Sequence, residues 1–293
     1  MKTLLPVVLS LLLVKPVHAT DWFQSNTPLT QAHQHLLEDD LGGMFNSLVE
    51  LWQSEPNKEL RPHLNDLLAQ SLSKDCGKSL TGVTLPEWIS GINVIRQTIQ
   101  SPGRDTYRLV VKLRATTDID DISFRRWVDS SISADSSFNY EEPQQGTELA
   151  NERNFLKRYN LTGKLDAGLY HLSVTTKDKR TYRTWVILGD SNSSQYVRWT
   201  SKENWKVEKS ALRNPHCPLP QLEVGLYDYV EGQYEQVWKK TYESNYPNSL
   251  ELEGIPNDRY VLAVSINSRR WQGDIIVEQA QTISRTYDVS LEE

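Results

Sequence analysis

The chain has 293 residues, 38% of them hydrophobic and 24% charged, and a formal net charge of -6 at pH 7. An acidic balance without a dense basic run excludes a protein built to track a nucleic-acid backbone, and the length calls for two or three modules rather than one. Nine Trp and thirteen Tyr supply large side chains to cores and, where exposed, to binding surfaces.

Met1-Lys2-Thr3, the apolar run Leu4 to Val14 and the small-residue close Val17-His18-Ala19 read as a cleavable export signal over residues 1–19. The cleavage region has no cysteine to carry a lipid, and no later run approaches the roughly 18 apolar residues of a membrane span. The expected location is therefore the bacterial periplasm or the secreted fraction. Thr27-Pro28 is an N-cap followed by proline at the first helical position. Leu29, Ala32, Leu36 and Leu37 then share one face, which predicts a helix near 28–40. Gly42-Gly43 is expected to break it. Phe45, Leu48, Val49 and Trp52 repeat the helical spacing, as do Leu60, Leu64, Leu67, Leu68 and Leu72, with Pro62 tolerated in a first turn. Residues 20–80 are predicted to form a small helical domain.

Cys76 and Cys217 are the only cysteines. In an exported chain they are read as one disulfide, joining the end of the helical unit to the proline-rich segment Asn214-Pro215-His216-Cys217-Pro218-Leu219-Pro220. Residues 85–100 admit two readings. Trp88, Ile92, Ile95 and Ile99 suit a helix face, whereas the turn Ser101-Pro102-Gly103-Arg104 favours a hairpin. Leu109, Val111 and Leu113 alternate as a strand, and Phe124 and Trp127 suggest the next. Between Trp127 and Leu165 the composition turns polar, so about 130–160 is predicted as a long inserted loop with two readings, a solvated mobile connection or a partner-binding loop in which Phe138 and Tyr140 order on contact.

A short pattern is written twice: Leu165-x-x-Gly168-x-Tyr170-x-Leu172-x-Val174, and later Ile255-x-x-Asp258-x-Tyr260-x-Leu262-x-Val264. Apolar residues at every second position after a turn set one face of a strand on a core. Leu222, Val224 and Leu226, followed by Tyr234 and Trp238, answer the strands ahead of the first copy. Apolar strands at Trp185 to Leu188 and Trp271 to Val277 follow the two copies. The prediction is an α+β multidomain fold: the helical domain, then two antiparallel β-sandwiches over 81–213 and 214–293.

The stretch Leu250-x-Leu252-x-Gly254-Ile255-Pro256-x-x-Arg259-Tyr260-x-Leu262-x-Val264, with Ile275 to Val277 and Tyr287-Asp288-Val289, resembles the prealbumin-like, carboxypeptidase-regulatory-like sandwiches of Ig type. That resemblance implies accessory modules serving stability, adhesion or binding rather than chemistry. The chain as a whole is similar to uncharacterised exported proteins of gammaproteobacteria.

Reactive constellations are few. His33-x-His35 stands near Glu38, Asp39 and Asp40, but residues two apart on a helix point away from each other, so only His35 with Glu38 or Asp39 could approach one ion. Asp118-x-Asp120-Asp121 falls in a predicted turn where carboxylates could hold calcium, yet the EF-hand glycine and distal glutamate are missing. Gly-x-Ser-x-Gly, a phosphate-cradling glycine loop and a dinucleotide fingerprint are all missing from the sequence. No cofactor is expected. The reading is a non-catalytic envelope protein that recognises a protein partner through the helical domain, the long loop, or both. One alternative is cell-wall glycan recognition through Trp199, Trp205, Tyr242 and Tyr246, which lie near predicted strand ends. Another is hydrolysis by a carboxylate pair.

Overall fold

The computed structural model describes residues 27–54, 59–82, 84–128, 130–141, 152–190, 195–209, 214–231, 233–251 and 254–289; the expected export signal lies outside them. The first helix, α1 (Pro28–Leu37), starts on a reciprocal cap. Thr27 Oγ1 accepts from the Thr30 amide at 3.2 Å while Thr30 Oγ1 accepts from the Thr27 amide at 3.0 Å. Gly42-Gly43 does not break a helix but opens the second, α2 (Leu41–Gln53). The break falls earlier, at Asp39, whose φ is 58°. Asp40 caps α2 by accepting from the Gly43 amide at 2.9 Å, and a β-carbon at Gly43 would collide with the Asp40 carboxylate and the His35 ring. The glycine is needed for the cap. The third helix, α3 (Leu60–Asp75), ends at Cys76 in the left-handed conformation, φ 62°.

Fourteen strands follow among the described residues. The hairpin β1 (Ile89–Ser101) and β2 (Arg104–Ala115) resolves the ambiguous stretch as strand. Ile92 and Val94 enter a core while Ile95 and Ile99 lie on the opposite face, so the apparent helical spacing came from two sheet faces. Next come β3 (Ile119–Arg126), β4 (Ser130–Ser131), β5 (Ser136–Glu141), β6 (Arg153–Leu161), β7 (Gly168–Thr176) and β8 (Thr181–Leu188). Much of the expected 130–160 loop is thus sheet, because β6 delivers Phe155 and Tyr159 to the core beside β2. Strands β9 (Gln195–Trp199), β10 (Trp205–Lys209), β11 (Gln221–Val230), β12 (Gln233–Tyr242), β13 (Asp258–Gln272) and β14 (Ile275–Val289) complete the chain.

The protein is mostly β, with the helices at the N-terminal side and several sheets. One sheet runs β12-β11-β13-β14-β1-β2-β6-β5, a second β4-β3-β7-β8, and β9 pairs with β10 alone. The expectation of two separate antiparallel units is corrected at the middle of the large sheet. There β1 and β14 pair in parallel, from Ile92 opposite Ile275 to Gln100 opposite Ile283. A pairing between such distant segments leaves no trace in local periodicity.

Three cores stack on this frame. The first lies between the four-stranded sheet and the β14-β1-β2-β6 part of the large one, filled by Val94, Val111, Phe124, Phe155, Tyr170, Val174 and Val277. The second lies on the outer side of the small sheet, where Met44, Leu48, Trp52, Leu64 and Leu68 of the helices pack on Leu169 and Ile187. The third closes the other end of the large sheet with Leu222, Leu226, Leu262, Val264 and Ile283, and it contains Val197 and Trp205. The β9–β10 ribbon, expected with the first sandwich, therefore packs with the strands that follow it. The ribbon is held by Gln281, which accepts from the Val197 amide at 2.7 Å and donates to its carbonyl at 2.9 Å. Gln272 does the same for β8, accepting from Ile187 N at 3.0 Å and donating to Trp185 O at 2.6 Å. Each amide stands in for a missing strand neighbour.

The duplicated pattern has a common physical content. Tyr170 and Tyr260 are 0% and 4% exposed. Each donates its hydroxyl to the carbonyl four residues back, Asp166 O at 2.7 Å and Pro256 O at 3.1 Å. The ring fills the core and the hydroxyl closes the turn that feeds the strand. Cys76 and Cys217 form the expected disulfide, with Cα atoms 5.1 Å apart. Around it, Trp271 N donates to Cys76 O at 2.9 Å and Asn214 Nδ2 to Leu72 O at 2.6 Å.

Candidate binding site

At the free edge of the large sheet, β5 and β6 pair so that Phe138 stands opposite Lys157 and Tyr140 opposite Phe155. Residues two apart on a strand share a face, so Phe138 and Tyr140 both turn toward the start of β3. The result is an open groove of about 540 Å³ lined by Phe138, Tyr140 and Phe155 and by Asp118, Asp120, Arg153 and Lys177. The Phe138 and Phe155 rings lie nearly parallel, centroids 6.1 Å apart, and Tyr140 meets Phe155 at 5.7 Å. Tyr140 remains 51% exposed. Tyr159 sets the spacing of the sheets beneath, donating to Ile122 O at 3.1 Å and accepting from Phe124 N at 2.9 Å. Burial pushes that phenol up to about 12.

Two sequence candidates thus converge, the loop aromatics and the acidic turn. Each carboxylate of the turn has its own cation: Asp118 pairs with Arg153, Asp120 with Lys179 at 3.0 Å and Asp121 with Lys157 at 3.2 Å. Lys157 also lies 5.8 Å from the Phe138 ring centroid. Asp118 and Asp120 therefore line the groove in ion pairs, with Asp121 paired outside its lining, and the three do not converge on one point. Arg153 and Phe155 were not singled out from the sequence. Their signal was present in the alternation Phe155-x-Lys157-x-Tyr159-x-Leu161, which a polar neighbourhood concealed.

The other aromatic candidates are placed differently. Trp205 is 0% exposed in the third core. Trp199 meets it edge-on at 6.2 Å and is covered by the Arg285 guanidinium at 5.1 Å. Tyr242 and Tyr246 pack half-buried on the same core, and the Tyr246 hydroxyl donates to Pro220 O. Trp205 is thus interior, a correction for that residue, whereas Trp199, Tyr242 and Tyr246 lie half-buried around the same core and Trp199 also lines an open pocket with Arg198 and Arg285. The exposed aromatic pair of that half is Tyr229 and Tyr234, 61% and 64% accessible, with rings 4.9 Å apart.

At the helical end His35 pairs with Asp40 at 2.9 Å, not with Glu38 or Asp39; Asp39 is taken by Lys74 at 2.6 Å. His33 Nε2 lies 3.0 Å from His63 Nε2, bridging α1 and α3. Burial, and then the neighbouring His63, lower the pKa of His33 below the usual histidine value. The folded state disfavours protonation there, so its contribution to stability is intact above the unfolded pKa near 6.5 and declines as pH falls below it. Urea midpoints at pH 7.5 and 5.5 should show a decrease that His63→Gln reduces; an unchanged decrease in that variant would place the acid sensitivity elsewhere.

These features define a disulfide-stapled, mainly β protein with an aromatic, charge-rimmed groove at one sheet edge. The chain belongs to the family described as protein of unknown function, DUF2861, which matches residues 22–288. Among curated proteins none matches. Solved structures similar to part of the chain include "Crystal structure of DIP-gamma IG1+IG2", at 12% identity and TM-score 0.21, covering 69% of this chain and 97% of that one. Another is "Crystal structure of Dpr11 IG1 bound to DIP-gamma IG+IG2", at 11% identity and TM-score 0.20, covering 68% and 98%. Superposition this loose carries no functional inference. Among the described residues no helix is long and apolar enough to cross a membrane.

Proposed function

We propose that this is an exported, non-catalytic binding protein, two sandwiches sharing one sheet, whose β5-edge groove receives a segment of an envelope protein partner. The observation that carries the reading is the convergence of Phe138, Tyr140 and Phe155 in an open groove with carboxylates and cations on its rim. An aromatic floor with a half-exposed tyrosine and a mixed-charge border suits an apolar side chain presented on polar backbone. The disulfide supports export to an oxidising compartment. Ion-paired carboxylates suit a recognition frame better than acid–base work. Burial of Trp205 removes one of the aromatics on which glycan recognition rested, which favours the protein-partner reading.

The test is a photo-crosslinking residue at position 140, activated in the native compartment. One dominant adduct is expected. The partner so identified, once purified, should bind Tyr140→Ala at least about tenfold more weakly than wild type, the loss of one central aromatic. Labelling spread over many proteins, or the same adduct from position 229, would sink the reading.

A further inference from the structure

Strands β2 and β6 turn Leu109, Val111, Leu113, Phe155 and Tyr159 into the first core. The opposite face of the sheet therefore carries Arg104, Arg108, Val110 and Lys112 of β2 with Leu156 and Arg158 of β6. The register places Arg158 directly across from Val110, with Arg108 and Lys112 two residues to either side. Diagonal neighbours of this kind lie about 7–8 Å apart. Three cations thus surround Val110 and Leu156, which are 7% and 4% exposed beneath the long side-chain stems.

Among the described residues these cations have no acidic partner. Arg114 on the same face pairs with Glu152 at 3.7 Å, and Arg269, further along the sheet, with Glu278 at 2.5 Å. Among the described residues Arg104, Arg108, Lys112 and Arg158 have no carboxylate at ion-pair distance; Asp135 beside β6 accepts from Asn160 at 3.0 Å. Arg108 is half-buried, and besides that burial the positive charges of Arg158 and Arg104 depress its pKa. Like charges crowded on a sheet face destabilise the unliganded protein, and the chain's net charge of -6 opposes anion binding at most other places.

We propose that Arg108, Arg158 and Lys112, extended along β2 by Arg104, form a binding site for a phosphate group. Three donors at the corners of a triangle match a tetrahedral oxyanion better than the two coplanar oxygens of a carboxylate. Guanidinium forks pair with phosphate oxygens two at a time. The group would arrive either on a small soluble phosphate compound or on a lipid headgroup.

Two probes separate these sources for the purified full chain: calorimetric titration with inorganic pyrophosphate, and cosedimentation with phosphatidylglycerol–phosphatidylcholine vesicles against phosphatidylcholine alone. Pyrophosphate binding supports the site with a soluble ligand; binding only to phosphatidylglycerol vesicles supports it with a headgroup. In either case Arg108→Gln and Arg158→Gln should weaken binding at least tenfold. Arg259→Gln, which removes an ion-paired cation of the same sheet, should leave it unchanged. Lys112→Gln and Arg104→Gln alter exposed side chains and must also weaken binding, which covers the case of a half-buried variant that fails to fold. Silence of both probes, or equal loss in Arg259→Gln, overturns the proposal.

Discussion

Trp205→Ala is expected to destabilise the second half of the protein by about 3–5 kcal/mol, the usual loss for truncating a buried large aromatic. The indole is wholly inside the third core, among Val197, Leu222, Leu262 and Ile283. Removing it opens a cavity between the β9–β10 ribbon and the large sheet, leaving Val197 and the Gln281 bonds to hold the ribbon. Its Nε1–H is buried with no acceptor among the described residues, so Trp205→Phe should be far milder, losing ring area but no hydrogen bond seen there. Urea denaturation followed by circular dichroism distinguishes the two. A Trp205→Ala protein as stable as wild type would mean that the ring contributes little to the packing and would reopen its reading as a binding residue.

Joint replacement of Cys76 and Cys217 by serine should cost nearly as much by another route. The cysteines stand 141 positions apart, and releasing a loop of that length returns about 4–5 kcal/mol of chain entropy to the unfolded state in the ideal model. The bond joins the end of α3 to the segment entering β11, with the β13–β14 turn bonded alongside through Trp271 and Gly273. Loss should therefore appear first as weaker amide protection in the helices and around residues 214–220, measured by hydrogen exchange. A change below about 1 kcal/mol in the double variant would show that the second core alone holds the helical layer.

What could be read from sequence was local. The three helices announced themselves through Thr27-Pro28 and leucine spacing. The duplicated turn-and-strand pattern correctly flagged Tyr170 and Tyr260 as residues whose strands meet a core. Gly42-Gly43 misled because a glycine near a helix start can make room for a cap as readily as it can end a helix. The polar stretch around 130–160 hid β5 and β6, since Asn154, Lys157, Arg158 and Asn160 interrupt the apolar signal of Phe155 and Tyr159, and serines that of Phe138. Phe138 and Tyr140 were named as contact residues because they are aromatics in a polar insertion, whereas their meeting with Asp118 and Arg153 depends on strand register, which composition does not encode. The cations of β2 and β6 were equally invisible. They are scattered between positions 104 and 158 of an acidic chain and become neighbours only when two strands align.

The parallel seam between β1 and β14 has a consequence for biogenesis. Val94 and Val277 share one core, so the first strand made waits for the last before its interior side is sealed, and pairings of such long sequence separation form slowly. Until the C-terminal strand is made, the leading half carries an unsatisfied edge and a gap in its interior. A chaperone that shields that edge until the tail arrives would speed maturation, and a stalled or clipped chain would be left with a sticky flank ready to stack on others of its kind.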